Sequence, residues 1–249
     1  MVDQVRTGVD GLDEILDGGF VKNAAVLVSG NPGTGKSIFG MQFLYNGVRE
    51  FEENGVYLSF EEDARALGIT AESIGLEDWN AYTEDGRIQV FDKQLLLRDT
   101  DFTDTLDRLA DTLEDGEYDR LVMDSLSMFE TFFDSEDKKR RYLLQFTDIL
   151  KDYGVTSLLI NEQGALFPDT DIGLENYLTD GNIYLIQTPT KKGVNRYVWV
   201  AKMRATDVTT DIFPMDIGEG GISVHDNAAG FSMMQGDPDG GGFGAGSLE

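Results

Sequence analysis

The 249 residues carry a formal net charge of −26, from 46 acidic and 20 basic residues, and 41% of them are hydrophobic. This composition suits one large globular domain and excludes an intrinsically disordered chain. Cysteine is absent, which excludes disulfide bonds and thiolate metal sites.

Strand-like and helix-like segments alternate along the chain. Apolar runs predict strands at residues 24–29, 56–60, 87–91, 120–124, 155–160, 182–187 and 196–203. Apolar residues at helical spacing predict helices at 37–50, 70–75, 102–113 and 142–153, the last followed by a C-cap glycine, Gly154. The last two strands are expected to pair as a hairpin-like edge through residues 188–195. The order predicts an α/β fold: a mostly parallel, twisted sheet with helices on both faces and an antiparallel edge.

A phosphate-binding P-loop follows the first predicted strand. The run Gly30-Asn31-Pro32-Gly33-Thr34-Gly35-Lys36-Ser37 matches that pattern at every fixed position. Glycines let successive backbone N–H groups converge on one point, and the N-terminus of the next helix adds to this anion site. We expect Lys36 to reach the β- and γ-phosphates of ATP and the Ser37 hydroxyl to bind Mg²⁺. The predicted nucleotide-binding residues are Asn31, Pro32, Gly33, Thr34, Gly35, Lys36, Ser37 and Ile38.

Carboxylates stand at the ends of two further predicted strands. Asp124 ends the strand at 120–124 and is expected to hold Mg²⁺ directly or through water. Glu61 and Glu62 follow the strand at 56–60, where a carboxylate can orient a water for attack on the γ-phosphate. Because Asp63 continues the run, a solvated acidic turn is the alternative interpretation. Adjacent side chains point in different directions, so the two glutamates are not expected to do the same work.

Several further segments resemble the KaiC-like branch of the RecA superfamily, over roughly residues 6–224. Residues 7–19 look like the leader that precedes the first strand in that family. The P-loop, Phe60-Glu61-Glu62 and Asp124-Ser125-Leu126-Ser127 are similar to its core motifs. Tyr177-Leu178-Thr179-Asp180-Gly181 and Lys202-Met203-Arg204 resemble its late signatures.

The resemblance implies a RecA-like P-loop ATPase that forms rings, usually hexamers, with ATP at subunit interfaces. It implies that Glu61 and Glu62 serve hydrolysis. It also implies that Lys202 and Arg204 reach the ATP of the neighbouring subunit, where arginine stabilises phosphoryl charge well. Solvation at a strand end is the alternative for these two residues.

The sequence departs from the family pattern at three places. Ala205 stands where the family usually has a glycine, and Val208 where a histidine is common. In two-domain members a Ser–Thr phosphorylation pair occupies the place that Asn176 and Tyr177 take here. We therefore do not expect autophosphorylation at this position.

Nucleic acid is a doubtful partner. The segments that correspond to the DNA-binding loops of recombinases are 127–141 and 164–180, and the second contains no Lys or Arg, which phosphate neutralisation requires. The basic run 138–141 is read as the solvated start of a helix. The acidity of the chain is itself typical of a halophile's protein, because concentrated salt screens such self-repulsion, and a salt adaptation would say little about DNA.

The remaining expectations concern location and organisation. No signal peptide or membrane span is recognisable, which predicts a cytoplasmic protein with no membrane partner. Residues 1–235 are expected to form a single ATPase domain, and the glycine-rich residues 236–249 a disordered tail. The leading hypothesis is a homohexameric regulatory ATPase with an unknown protein partner. The alternatives are a recombinase-like, DNA-dependent ATPase and a module that holds ATP without turning it over.

Overall fold

The structure, a computed structural model, describes residues 2–96, 102–164, 169, 172–191, 193–209 and 211–225. Its strands are β1 Gln4–Val5, β2 Phe20–Val21, β3 Ala25–Gly30, β4 Gly55–Ser59, β5 Ile88–Phe91, β6 Arg120–Asp124, β7 Thr156–Glu162, β8 Gly181–Thr190, β9 Gly193–Met203, β10 Ile212–Gly218 and β11 Gly221–Val224. Its helices are α1 Leu12–Ile15, α2 Lys36–Phe51, α3 Ala64–Ser73, α4 Trp79–Glu84, α5 Lys93–Leu96, α6 Phe102–Asp115, α7 Leu126–Glu130, α8 Glu136–Asp152 and α9 Leu174–Leu178.

Nine strands form one sheet in the order β11-β10-β9-β8-β3-β7-β6-β4-β5, and β1 and β2 form a separate pair. From β8 to β5 the neighbouring strands are parallel, whereas β9, β10 and β11 join in antiparallel pairs. The mostly parallel α/β sheet with an antiparallel edge is confirmed.

Helices cover both faces of the sheet because the central strands are apolar on both sides. On β3, Val26 and Val28 belong to one buried cluster and Leu27 to the other, as the alternation of side chains along a strand requires. The first cluster includes the apolar face of α2, and the second includes those of α6 and α8. The P-loop helix and the α6–α8 pair therefore lie on opposite faces.

The parallel arrangement brings the predicted site motifs together. The P-loop follows β3, Glu61 comes shortly after β4, and Asp124 is the last residue of β6. Because these strands are parallel, their carboxyl ends meet at one edge of the sheet, where α/β proteins bind their ligands.

The predicted edge hairpin exists, but it does not end the sheet. β8 and β9 pair antiparallel from Gly181↔Met203 to Thr190↔Gly193, and both strands are longer than predicted. β10 then pairs with β9, and β11 with β10, so β11 is the true edge. This second hairpin was not predicted, because the short apolar runs at 212–218 and 221–224 are interrupted by Pro214 and by glycines.

Two helix boundaries also differ from prediction. α3 begins at Ala64 rather than near Thr70, because the Asp63 carboxylate caps it by accepting a hydrogen bond from Ala66 N at 2.8 Å. α8 begins at Glu136 rather than Tyr142, with Ser135 as its N-cap. The predicted C-cap is confirmed, since Gly154 has a φ of +73° and Val155 N donates to Leu150 O at 2.8 Å.

The expectations of a single domain at 1–235 and of a disordered tail at 236–249 stay predictions. The tail lies outside the described residues. Among the residues described, no helix is both long enough and apolar enough to cross a bilayer.

Candidate functional site

The P-loop backbone is folded for close approach to an anion. Gly33 and Gly35 have φ values of +83° and +100°, which side chains with a Cβ rarely adopt. A Cβ at Gly35 would also meet Ile217 Cδ1 at 2.7 Å. α2 begins at Lys36, so its free N–H groups face the turn. The backbone conformation therefore favours glycine at both positions, and the close approach of Ile217 adds to this at Gly35.

Side chains at both ends of the loop hold it in shape. Thr34 Oγ1 donates to Asn31 O at 2.9 Å, and Asn31 Nδ2 donates to Gln163 O at 2.8 Å. Gln187 Nε2 on β8 donates to Pro32 O at 3.0 Å. The side chains of Asn31 and Thr34 thus stabilise the conformation of the loop.

Lys36 lies at the centre of a carboxylate cluster. Its Nζ donates to Asn31 O at 3.2 Å. Burial lowers the pKa of Lys36, an effect opposed by the negative charges of Glu162, Asp124 and Glu61. The three carboxylates thus favour the charged ammonium, and burial opposes it.

Asp124 is held by the hydroxyl of Tyr57, which donates to Asp124 Oδ2 at 2.7 Å. Burial raises the pKa of Asp124, and the hydroxyl groups of Tyr57 and Ser37 lower it. Ser37 and Asp124 both line the cavity beside the P-loop, so their oxygens can act on the same metal ion.

The two glutamates differ in their positions relative to the cavity above the P-loop. Glu61 lines the cavity above the P-loop, and its Oε1 accepts a hydrogen bond from Ser125 Oγ at 3.0 Å. Glu62 does not line that cavity. Its backbone is fixed by Ser59, whose Oγ accepts from Glu62 N at 3.1 Å and donates to Glu62 O at 2.8 Å. Burial is the largest cause that raises the pKa of Glu62, and the negative charges of Asp124 and Glu61 raise it further.

A cavity of about 490 Å³ collects most of the predicted site. Six of the eight predicted nucleotide-binding residues line this cavity: Pro32, Gly33, Gly35, Lys36, Ser37 and Ile38. A larger cavity of about 640 Å³ lies among the N-terminal segment, α2 and the β10–β11 hairpin, and holds none of the predicted site residues. We assign the function to the smaller cavity because the phosphate-binding and carboxylate groups converge there.

Three residues that line this cavity were missed by the sequence analysis: Glu162, Arg196 and Ile217. Glu162 ends β7 next to the P-loop strand, a position that the parallel order of the strands could have suggested. Arg196 lies on β9 opposite Gln187, and its buried Nε has no hydrogen-bond partner among the described residues. A buried, unpaired guanidinium nitrogen beside the P-loop suits a negatively charged ligand.

Lys202 and Arg204 lie where the parallel strands begin, at the end of the sheet opposite the P-loop. They flank Met203, which is paired with Gly181, and Gly181 is paired with Val26 near the start of β3. The P-loop begins four residues further along β3, about 13 Å away at the rise of a β-strand. These two cations therefore do not face the P-loop of their own chain.

Backbone carbonyls and one carboxylate hold the pair in place. Lys202 Nζ donates to Thr179 O at 2.6 Å and to Asn176 O at 3.1 Å. Arg204 donates to Asp180 Oδ1 at 2.9 Å and to Tyr177 O at 3.2 Å. Burial and the neighbouring Arg204 lower the pKa of Lys202. Ala205, the residue after Arg204, has a φ of +58°, a backbone conformation that glycine adopts more readily.

The basic run 138–141 lies inside the first two turns of α8. Lys138 Nζ pairs with Asp134 at 2.8 Å, and Lys139 Nζ pairs with Glu136 at 2.9 Å. These contacts agree with the start of a solvated helix. Of the second segment, residues 165–168, 170 and 171 lie outside the described part of the chain. His225 is half exposed and contacts Asp216, as expected for a surface residue.

Comparisons with known proteins agree on one family. The family model described as "ATPase: KaiC" matches residues 5–229. The circadian clock oscillator protein KaiC of Synechococcus elongatus is 28% identical over 228 residues, which is 89% of this chain and 44% of that protein. This chain therefore spans less than half the length of that relative. A UPF0273 protein of Pyrococcus furiosus is 31% identical over 243 residues, covering 90% of this chain and 95% of that protein.

A solved structure has the same fold over most of the length of this chain. The crystal structure of a KaiC-like protein from the hyperthermophilic archaeon Pyrococcus horikoshii superposes with a TM-score of 0.80 at 33% sequence identity. The match covers 90% of this chain and 100% of the other. The RecA-like α/β fold thus rests on an experimental structure as well as on the sheet order described above.

Proposed function

The chain belongs to the KaiC family of ATPases, and from this premise we propose that it binds ATP with Mg²⁺ and hydrolyses it at the carboxyl edge of its sheet. One observation carries the proposal: the P-loop, Asp124 and Glu61 line a single cavity. A P-loop, a strand-end carboxylate that holds Mg²⁺ and a second carboxylate that orients water are the parts that phosphoryl transfer requires.

The residues present fit a magnesium ion. Mg²⁺ prefers oxygen ligands and is usually held by one or two protein groups together with phosphates and water. Ser37 and Asp124, which line the same cavity, supply such oxygens beside the loop that would hold the phosphates. Ser37 and Asp124 would hold the ion, whose positive charge would offset the negative charge that develops on the phosphates.

The chain's own groups would perform the remaining steps. The backbone N–H groups of Gly33 and of residues 35–38, together with the Lys36 ammonium, would bind the phosphates and hold them in line. Glu61, oriented by Ser125, would accept a hydrogen bond from the attacking water and orient it towards the γ-phosphate. Arg196 would bind a phosphate oxygen from the side of β9, where its Nε is unpaired.

We further propose that the complete site forms between copies of the chain. Lys202 and Arg204 lie at the amino ends of the parallel strands, away from their own P-loop. In a head-to-tail assembly, this edge of one copy faces the P-loop edge of the next, and such an interface closes into a ring when the rotation permits. A hexameric ring of single-domain subunits, 1–235, with a regulatory protein partner is the arrangement that we favour over a DNA-dependent ATPase.

A binding measurement on Lys36→Ala tests the nucleotide site. We expect affinity for a fluorescent ATP analogue to fall by about 10- to 100-fold, which corresponds to the roughly 1.5–3 kcal/mol of a hydrogen bond to a charged group. Lys22→Ala is the matched control, because this exposed lysine precedes β3 at the opposite end of the strand. Equal affinity of the Lys36→Ala variant and the unaltered protein would contradict nucleotide binding in this cavity.

A further inference from the structure

Tyr57 is a buried tyrosine that points at the metal end of the site. It is the third residue of β4 and lies opposite Val122 on β6. Ser59, two residues further on, lies opposite Asp124. Because alternate residues of a strand share a face, the Tyr57 ring runs along the sheet towards the Asp124 carboxylate.

The Tyr57 ring is fixed by packing, and its hydroxyl is fixed by a hydrogen bond. Tyr57 has no exposed surface, and its ring meets that of Trp79 edge to face, with centroids 6.0 Å apart and planes at 84°. Only the phenol oxygen leaves this apolar surrounding, and it donates to Asp124 Oδ2 at 2.7 Å. A hydrogen bond from a rigid donor to a carboxylate is short, strong and directional.

This hydrogen bond decides how the carboxylate is turned. One oxygen of Asp124 accepts a hydrogen bond from Tyr57, and the carboxylate lines the same cavity as Ser37, the first residue after the P-loop lysine. Without the phenol, Oδ2 would lose its donor and the carboxylate would be free to rotate. Groups that orient a metal-binding carboxylate typically change metal affinity or activity by about 10- to 100-fold when they are removed.

We propose that Tyr57 is a positioning residue for the metal site, whose phenol holds Asp124 in the orientation that lets Asp124 and Ser37 receive Mg²⁺ on a bound nucleotide. The inference rests on the proposed function, because it presumes a Mg²⁺·nucleotide complex in the cavity. Its alternative is an ordinary core tyrosine that uses Asp124 only as a partner for its buried hydroxyl.

A magnesium titration of Tyr57→Phe separates these two roles. The protein is titrated with Mg²⁺ in the presence of a fluorescent ATP analogue, and binding of the analogue is followed without reference to turnover. We expect the Mg²⁺ concentration at half-saturation to rise about 10-fold or more, while affinity for the analogue in EDTA stays unchanged. In an Asp124→Asn background, the same substitution is expected to have no further effect on the Mg²⁺ titration.

Tyr82→Phe is the matched control. Tyr82 belongs to the same buried cluster as Tyr57 and packs against Tyr45, with centroids 5.4 Å apart. Its substitution is expected to leave the magnesium titration unchanged. Thermal unfolding of each variant accompanies the titration, since phenylalanine keeps the packing of the ring.

Each other outcome counts against a defined claim. A half-saturation of Tyr57→Phe within twofold of the unaltered protein overturns the positioning role. A variant that does not fold assigns the hydroxyl to the core and overturns it as well. If Mg²⁺ leaves nucleotide affinity unchanged in the unaltered protein, the proposed Mg²⁺ site fails, and the inference about Tyr57 falls with it for that separate reason.

Discussion

Replacing Arg204 with alanine is expected to lower ATP turnover by about 10³-fold or more, because an arginine that reaches the γ-phosphate from a neighbouring subunit contributes on that scale. Affinity for ATP should change little, since Arg204 lies at the sheet edge opposite the P-loop of its own chain. Phosphate release and binding of a fluorescent analogue give the two readings. Arg87→Ala is the matched control, because Arg87 also pairs with an aspartate, Asp85, at the amino end of a parallel strand.

Mixing two inactive variants tests whether Arg204 acts across an interface. A Lys36→Ala subunit has a defective P-loop and an intact Arg204, and an Arg204→Ala subunit has the reverse. Random assembly of equal amounts pairs an intact P-loop with an intact Arg204 at about a quarter of the interfaces of a head-to-tail ring. We therefore expect the mixture to recover turnover that neither variant shows alone. A mixture that stays inactive after subunit exchange would contradict the shared site.

Replacing Glu61 with glutamine is expected to lower turnover by about 10²- to 10⁴-fold, the usual contribution of a general base. Glutamine keeps the size and the hydrogen bond from Ser125 but cannot accept a proton from water. Single-turnover phosphate release measures the loss, and binding of the fluorescent analogue should show that ATP affinity is retained.

Glu62→Gln is the matched comparison for Glu61→Gln. Glu62 does not line the cavity, so we expect a smaller loss of turnover from its substitution. A larger loss of turnover in Glu62→Gln than in Glu61→Gln would reverse the assignment of the two glutamates. The raised pKa of Glu62 would then be a better guide to its role than its position outside the cavity. Unchanged turnover in both variants would contradict hydrolysis by this pair and would favour a protein that holds ATP without turning it over.

The parts of the site that were predictable are those encoded in short stretches of sequence. The P-loop is a continuous run of eight residues, and its glycines and lysine are dictated by phosphate binding. Asp124 and Glu61 could be predicted because a carboxylate directly after a buried strand must lie at the carboxyl edge of a parallel sheet. Local pattern and sheet geometry were sufficient for these residues.

The missed residues depend on which strands are neighbours. Arg196 reaches the cavity only because β9 pairs with β8 in one register, and β8 lies beside the P-loop strand. Ile217 belongs to β10, a strand that the sequence analysis did not predict. Tyr57 was predicted only as part of the strand at 56–60, and its hydrogen bond to Asp124 follows from the pairing of β4 with β6. Strand order and register are set by the whole sheet, so no single segment reveals these contacts.

Phosphate release from ATP by the unaltered protein, measured with Mg²⁺ in molar KCl, tests the central claim most directly. High salt is chosen because a net charge of −26 destabilises a compact chain when it is not screened. We predict turnover that disappears in EDTA and in Lys36→Ala and that does not depend on added single-stranded DNA. Equal phosphate release by Lys36→Ala would contradict ATP hydrolysis at the P-loop, and turnover that appears only with DNA would contradict the regulatory ATPase in favour of a recombinase-like one.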